Sequence, residues 1–314
     1  MSRAFLFPGQ GAQTIGMGKA LAEAYPAAQA VFEAVDEALG EKLSALIWEG
    51  AQEELTLTRN AQPALMATSM AAMAALEAEG VTVEAAAYVA GHSLGEYSAL
   101  CAAGALTLAD TARLLRIRGE AMQSAVPVGE GAMAALLGLD FETASRVAAA
   151  ASEGFVCQAA NDNDPAQVVV SGHREAVERA VEIAKGQGAK RAVMLPVSAP
   201  FHCELMEPAA EAMAEALSHV DLKEPRVPLV PNVVASAERS ATLIRNHLVD
   251  QVTGSVRWRE SVMWMAAHGV TETWEIGAGK ALTGMVRRID KTLATRQVGT
   301  PDEVRAAAEA VGTA

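Results

Sequence analysis

The sequence predicts an α/β protein with a largely parallel sheet, interrupted by a smaller inserted unit of different topology. Three observations carry that prediction. Short apolar runs of strand length alternate with helical periodicity toward both ends of the chain. The middle reads strand, helix, strand, strand, helix, strand, the order of a ferredoxin-like unit. The apolar mass comes mainly from Ala, Val, Leu and 13 Met, while aromatics make up only 4%. That mix favours helices packed closely on a modest sheet over an aromatic-rich β-sandwich.

Taken in order, Ala4 to Phe7 forms a short buried strand closed by Pro8-Gly9. Helical periodicity runs from about Gly16 to Leu39, broken near Pro26, and again from Pro63 to Glu79. A second strand, Ala86 to Ala90, leads into Gly91-His92-Ser93-Leu94-Gly95, and a helix spans Ala109 to Ser124 before Pro127. The inserted unit begins with a strand at Ala132 to Gly138 and a helix at Phe141 to Ala151. Strands at Phe155 to Ala160 and Gln167 to Ser171 flank an Asn161-Asp162-Asn163-Asp164-Pro165 turn. A helix from Arg174 to Lys185 and a strand from Arg191 to Leu195 complete it, and helices and strands resume from Glu204. The expected division is residues 130–197 as the small unit, within a discontinuous large unit of 1–129 and 198–314.

Composition excludes several classes of function. At 314 residues the chain can bury around three quarters of its unfolded surface, so it needs no disulfide or metal staple. Hydrophobic residues at 51% and charged residues at 20% rule out general disorder. A formal charge of −13 argues against nucleic acid as the main partner, because phosphate binding needs a basic stripe. The N-terminal apolar run is too short for a signal peptide, and the longest uncharged stretch, Asn60 to Leu76, carries polar residues that fit a buried helix and not a membrane span. Three well-separated cysteines, Cys101, Cys157 and Cys203, form neither a disulfide framework nor a zinc spacing and fit a reducing cytoplasm.

The chemistry-bearing signal is Gly91-His92-Ser93-Leu94-Gly95, a G-x-S-x-G strand-to-helix turn. Flanking glycines allow close backbone approach, and the serine at the apex exposes its hydroxyl at a helix N-terminus, where unpaired N–H groups favour developing negative charge. A serine nucleophile needs a base. Of six histidines, His92 sits inside the elbow, where a structural role fits, and His219, His247 and His268 belong to polar helices. His173 follows a strand of the small unit. His202 ends the proline-containing loop Val197-Ser198-Ala199-Pro200-Phe201-His202 and is the best partner for Ser93. Phe7-Pro8-Gly9-Gln10-Gly11 can aim a backbone N–H or an amide at an oxyanion. Arg113, Arg116 and Arg118 crowd one helix, and Arg116 and Arg118 point to different sides, so one of them can face inward. A buried arginine calls for a carboxylate, which its planar fork holds bidentately.

Together, Gly9-Gln10-Gly11, Gly91-His92-Ser93-Leu94-Gly95-Glu96-Tyr97, Arg118-Gly119 and Pro196-Val197-Ser198-Ala199-Pro200-Phe201-His202 resemble the malonyl-CoA:acyl carrier protein transacylases of fatty-acid and polyketide synthesis. The resemblance runs in order over nearly the whole chain, including Asn161, Gly172-His173 and Glu275-Ile276-Gly277. It implies an α/β-hydrolase-like large subdomain carrying a ferredoxin-like small one. It further implies Ser93 as the acylated nucleophile, His202 as its base, and the backbone N–H groups of Gln10 and Leu94 as the oxyanion hole. Arg118 would pair with the malonyl carboxylate, and the Gln251 backbone carbonyl would orient the histidine in place of a triad acid. Phe201, directly before the histidine, goes with malonyl over methylmalonyl in polyketide members. The implied substrate is malonyl-CoA and the implied partner acyl carrier protein, with no bound cofactor or metal, no nucleic acid and no membrane. A stand-alone chain of this kind points to fatty-acid synthesis in the cytoplasm. A serine hydrolase or thioesterase would share the elbow and the base but end with water attacking the acyl-serine. An inert carrier-binding module would not need Ser93, His202 and Gln10 intact.

Overall fold

Two four-stranded sheets organise the computed structural model, which describes residues 2–197 and 199–312. In chain order the strands are β1 (Arg3–Phe7), β2 (Tyr88–Gly91), β3 (Gly131–Leu137), β4 (Cys157–Asp164), β5 (Gln167–His173), β6 (Arg191–Met194), β7 (Glu272–Ile276) and β8 (Ala294–Val298). The first sheet has the order β2-β1-β7-β8 with every pair parallel. The second has the order β4-β5-β3-β6 with every pair antiparallel, and the helices Phe141–Ser152 and Arg174–Gly186 complete its strand–helix–strand pattern. The fold is therefore α/β, with a parallel main sheet and a small antiparallel subdomain. The second sheet lies wholly within 131–194.

Parallel strands buried on both faces read as continuous apolar runs, and β1 is buried along its whole length. One face packs Phe5, Phe7 and Trp274 against the helix Thr58–Ala78, which is buried on nearly every side. That burial accounts for the uncharged run Asn60 to Leu76 within it, while the charged Arg59 and Glu77 are exposed. The opposite face packs Ala4, Leu6 and Ala90 against Trp258, Val262 and Val286. Phe7 lies opposite Gly91 in the β1/β2 register, so the two chains leave the sheet side by side at the same edge. This brings the turn after β1 beside the serine turn, at the carboxyl ends of the strands where open α/β sheets bind ligands.

The small sheet is apolar on both faces. Ala132, Ala134 and Leu136 of β3 point toward its two helices, with Val168 and Val170 of β5. The alternate residues Met133, Ala135 and Val169 point the other way and pack with Phe201. Side chains alternate across a strand, so one face of the sheet holds its own core and the other roofs the cavity over β1 and β2.

Two expectations need correction. The Asn161-to-Pro165 segment is not a turn: β4 continues to Asp164, and only Pro165 and Ala166 reverse the chain. The polar residues are consumed by tertiary partners. Asp162 accepts from Arg259 Nε at 3.0 Å, Asp164 from Arg288 Nε at 2.7 Å, and Asn163 Oδ1 bonds His92 Nε2 at 2.8 Å. Two register shifts near Asn161 and Asp164 let the strand turn these side chains toward the large unit. The long helix also starts earlier than Pro63, at Thr58, because the Leu57 carbonyl caps it by accepting from the N–H groups of Asn60 and Ala61, each at 2.8 Å.

Candidate active site

The serine turn is built by steric necessity. A Cβ on Gly91 would collide with the backbone of Gly95, and one on Gly95 with the carbonyl of Phe7, so neither position accepts a side chain. Between them Ser93 takes a left-handed backbone with φ 53°, a conformation that disfavours L-residues unless other contacts enforce it. Asn232, fully buried, supplies those contacts. Its Oδ1 accepts from the Ser93 N–H at 2.8 Å and its Nδ2 donates to the Gly91 carbonyl at 2.7 Å.

His202 reaches this turn from the loop after β6, of which Ser198 lies outside the described residues. Its Nε2 is 2.8 Å from Ser93 Oγ, and its Nδ1 is 2.8 Å from the carbonyl oxygen of Gln251. A carbonyl only accepts, so Nδ1 carries the proton and Nε2 presents a lone pair to the serine. Burial, followed by the nearby Arg118 charge, pushes His202 down to about 3, partly opposed by the Gln251 hydrogen bond. The imidazole is thus neutral near pH 7. Among the described residues no carboxylate reaches it.

Arg118, the inward-facing arginine of the helix Leu108–Ser124, is 1% exposed. Arg116 turns outward to Asn60 and Glu41. Among the described residues, no carboxylate of the kind expected for a buried arginine contacts it directly. Arg118 Nη1 donates to Gln62 Oε1 at 2.9 Å, and Nη2 donates to Gln251 Oε1 at 2.9 Å and to Ser93 Oγ at 3.1 Å. Neutral amides hold the guanidinium, so its positive charge is directed into the cavity.

Ser93, Leu94, Gln10, Arg118, Phe201 and His202 all line one cavity of about 490 Å³ between the two sheets, a size that suits a small acyl group with part of its carrier. The Gln10 side chain is turned away to Thr58 Oγ1 at 3.3 Å, which leaves its backbone N–H for the cavity. Leu94 precedes the helix Gly95–Ala102, whose first N–H groups are taken by carbonyls of the serine turn: Gly95 donates to His92 at 2.9 Å, Glu96 to Ser93 at 3.0 Å and Tyr97 to Leu94 at 3.0 Å. Gln251 stands behind the wall, with its carbonyl on His202 and its amide on Arg118.

The other histidines are engaged elsewhere: His92 with Asn163, His173 with the Val156 N–H, His219 with Glu215 and His268 with the Trp264 carbonyl. His247 lies on the helix Ala241–Thr253, outside the cavity lining. Among the described residues, no group of three or more His, Cys, Asp or Glu could hold a metal ion, and no helix is long and apolar enough to cross a membrane.

Residues 4–300 match the acyl transferase domain family. The chain belongs to that family. It is 50% identical to the malonyl CoA-acyl carrier protein transacylase of Bacillus subtilis, over 97% of this chain and 95% of that protein. The crystal structure of acyl-carrier-protein-S-malonyltransferase from Bartonella henselae superposes with a TM-score of 0.97 at 57% identity, covering 99% of this chain and 100% of that one. A malonyl-transacylase solved in complex with its type II PKS acyl-carrier protein superposes with a TM-score of 0.96 at 42% identity, over 99% and 100% of the two chains.

Beside the residues expected from sequence, this member of the acyl transferase family uses three more in the site. Gln62 and Asn232 hold Arg118 and the elbow, and Glu96, fully buried, accepts from the Asn232 backbone N–H and from Gln251 Nε2, each at 2.9 Å. Gln62 is one of the polar residues of the uncharged helical run Asn60 to Leu76. Asn232, which follows Pro231 in an undistinguished stretch, carried no such signal.

Proposed function

We propose that Ser93 and His202 are the nucleophile and base by which this chain, a malonyl-CoA:acyl carrier protein transacylase, moves malonyl groups between thiols. The reading rests above all on one observation: the Ser93 hydroxyl lies between a neutral imidazole at 2.8 Å and the buried Arg118 guanidinium at 3.1 Å. A base at that distance can take the hydroxyl proton as the oxygen attacks a thioester carbonyl. A cation beside the same oxygen recognises an acyl group that ends in a carboxylate.

In the first half-reaction Ser93 Oγ bonds the malonyl carbonyl carbon, and the carbon–sulfur bond to CoA breaks. The serine proton passes through His202 Nε2 to the leaving sulfur. The N–H groups of Gln10 and Leu94 hold the oxyanion of the tetrahedral intermediate. In the second half the phosphopantetheine thiol of acyl carrier protein gives its proton to His202 and bonds the malonyl carbonyl carbon, the acyl–oxygen bond to Ser93 breaks, and His202 returns the proton to Ser93 Oγ. The covalent intermediate makes the kinetics ping-pong. Arg118 holds the free carboxylate throughout and Phe201 bounds the space around the α-carbon. The chemistry calls for no cofactor or metal. The three free cysteines fit a reducing cytoplasm, and fatty-acid synthesis is the pathway assigned.

The test is mass spectrometry of the protein after incubation with malonyl-CoA. The expected result is one malonyl group on the Ser93 peptide that leaves when carrier protein bearing phosphopantetheine is added. Rapid loss of the label to water without carrier would instead identify a thioesterase.

A further inference from the structure

Arg118 is shut away from water with only neutral groups in hydrogen-bonding contact: Gln62, Gln251 and Ser93. The ring of Tyr97 lies 5.7 Å from its guanidinium carbon. A desolvated guanidinium needs compensating negative charge, and that charge is one amide away. Gln251 accepts from Arg118 through Oε1 and donates through Nε2 to Glu96 Oε2 at 2.9 Å. The same carboxylate oxygen accepts from the Asn232 backbone N–H. Glu96 is fully buried, and its other oxygen, Oε1, has no hydrogen-bond partner among the described residues. Two donors on one oxygen leave half of an ionised carboxylate unsolvated, while the free oxygen is where a protonated carboxyl would carry its hydrogen.

We propose that Glu96 is a positioning residue that balances the charge of Arg118 through Gln251 while the pocket is empty, and takes up a proton when the acyl carboxylate arrives. This rests on the malonyl-transfer reading above. Once the substrate carboxylate pairs with Arg118, two carboxylates share one buried cation, and like charges at close quarters favour protonation of one of them.

The surroundings leave Glu96 as the group that responds. Its own helix adds Tyr97, whose hydroxyl burial raises further from neutrality. The helix Leu108–Ser124 contributes Arg118, and the loop after β6 contributes His202, held neutral. The serine turn contributes His92, also lowered by burial. Gln251 and Asn232 carry no charge. Burial lifts Glu96 itself to about 7, against the pull of the Asn232 and Gln251 hydrogen bonds and of Arg118. A modest added field is then enough to change its protonation at neutral pH.

Acyl transfer makes this measurable, because the reaction is proton-neutral: the serine proton leaves on the CoA thiol. Any net uptake on forming the acyl-enzyme belongs to another group. The experiment mixes enzyme with malonyl-CoA in weakly buffered solution at pH 7.0, reads proton uptake with an indicator dye, and counts acyl-enzyme by mass spectrometry. The expected result is a net uptake of protons, less than one per malonyl-serine, as a partly ionised carboxyl gives when it is driven neutral. The Glu96→Gln variant, which keeps an acceptor oxygen for Asn232 and Gln251, should take up none and lose the fall in malonyl acylation above pH 7. Malonyl-serine formed in the wild type without uptake, or the same uptake in Glu96→Gln, overturns the proposal. If the variant does not fold, the wild type still decides it. Its kcat/KM for malonyl-CoA in the first half-reaction should fall above pH 7 toward tenfold per unit, while that for acetyl-CoA does not, and equal slopes overturn the proposal. Failure to form any malonyl-serine would count against the malonyl-transfer reading itself.

Discussion

Ser93 and His202 meet at 2.8 Å from two backbones that both lie in the left-handed region, at φ 53° and 59°. For residues with side chains such a conformation costs on the order of 1–2 kcal/mol. Each is pinned by a long-range contact, Ser93 by Asn232 and His202 by the carbonyl of Gln251. The pair is therefore held in place by the fold before any substrate arrives, as a preorganised site requires.

Asn232→Ala removes both clamps on the elbow and orphans the buried Ser93 N–H and Gly91 carbonyl. Each lost partner of a buried group costs roughly 1–3 kcal/mol, so with two of them the variant should lose about 2–6 kcal/mol in urea unfolding. Its acylation rate should fall more than its KM rises, since the serine is displaced while the pocket persists. Wild-type stability in the variant would refute the clamp.

Arg118→Ala should lower malonyl transfer far more than acetyl transfer. Leaving a buried charge without its partner costs about 3–5 kcal/mol, roughly two to three orders of magnitude. Competition between malonyl-CoA and acetyl-CoA reads the ratio of kcat/KM directly. An unchanged ratio would mean that Arg118 does not anchor the carboxylate.

Phe201 sits partly buried beside the base and packs with Met133, Ala135 and Val169. One methyl group in a tight pocket is worth roughly 1–3 kcal/mol, or about 10–200-fold. Malonyl-CoA should be preferred over methylmalonyl-CoA by at least about tenfold, and Phe201→Ser should narrow the gap. Equal use of both thioesters by the wild type would remove this role from Phe201.

With His202 held down to about 3 by burial and Arg118, the base stays unprotonated through mildly acidic pH. The rate of acylation by malonyl-CoA should show no half-loss near 6.5, where an ordinary histidine would produce one. A pH–rate profile from 4.5 to 7 checks this, and an acid limb centred near 6.5 would contradict it.

Glu96 makes a stability prediction of definite sign. Its carboxyl is raised from 4.5 to about 7 in the folded chain, so the native state binds more protons than the unfolded state between those values. Stability from this group is greatest at low pH and is lost as pH rises through 7. Glu96→Gln removes that dependence. The variant's stability relative to wild type should climb from pH 4.5 to 7 and level off beyond, measured by urea midpoints in a pH series. A relative stability that falls over that interval would show that the carboxyl is not raised.

The parts of the site that sequence makes visible are those whose geometry is local. Gly91, Ser93 and Gly95 are legible because a sharp strand-to-helix turn demands small neighbours within two residues of the serine. His202 was reachable by elimination, being the histidine in a loop. The Asn161-to-Asp164 segment misleads for the opposite reason. Its residues are turn formers by propensity, yet Arg259, Arg288 and His92 pair them from positions far away in the chain. Local preference yields to tertiary contact there. Arg118 shows the same limit: burial was inferable, but amides in place of a carboxylate were not, since Gln62 and Gln251 lie 56 and 133 residues away.

The two-faced pattern of β3 backs one wall of the cavity with a core of its own. Ser93 bonds both His202 and Arg118, and all three are held by Gln251 or Asn232 of the large unit, while Met133, Ala135 and Val169 hang from the small sheet with their backs to an independent core. Variation at those three positions can enlarge or shrink the acyl chamber without disturbing a single hydrogen bond of Ser93, His202 or Arg118. Such a partition gives evolution, or an engineer, a ceiling that can be recut over an unaltered floor.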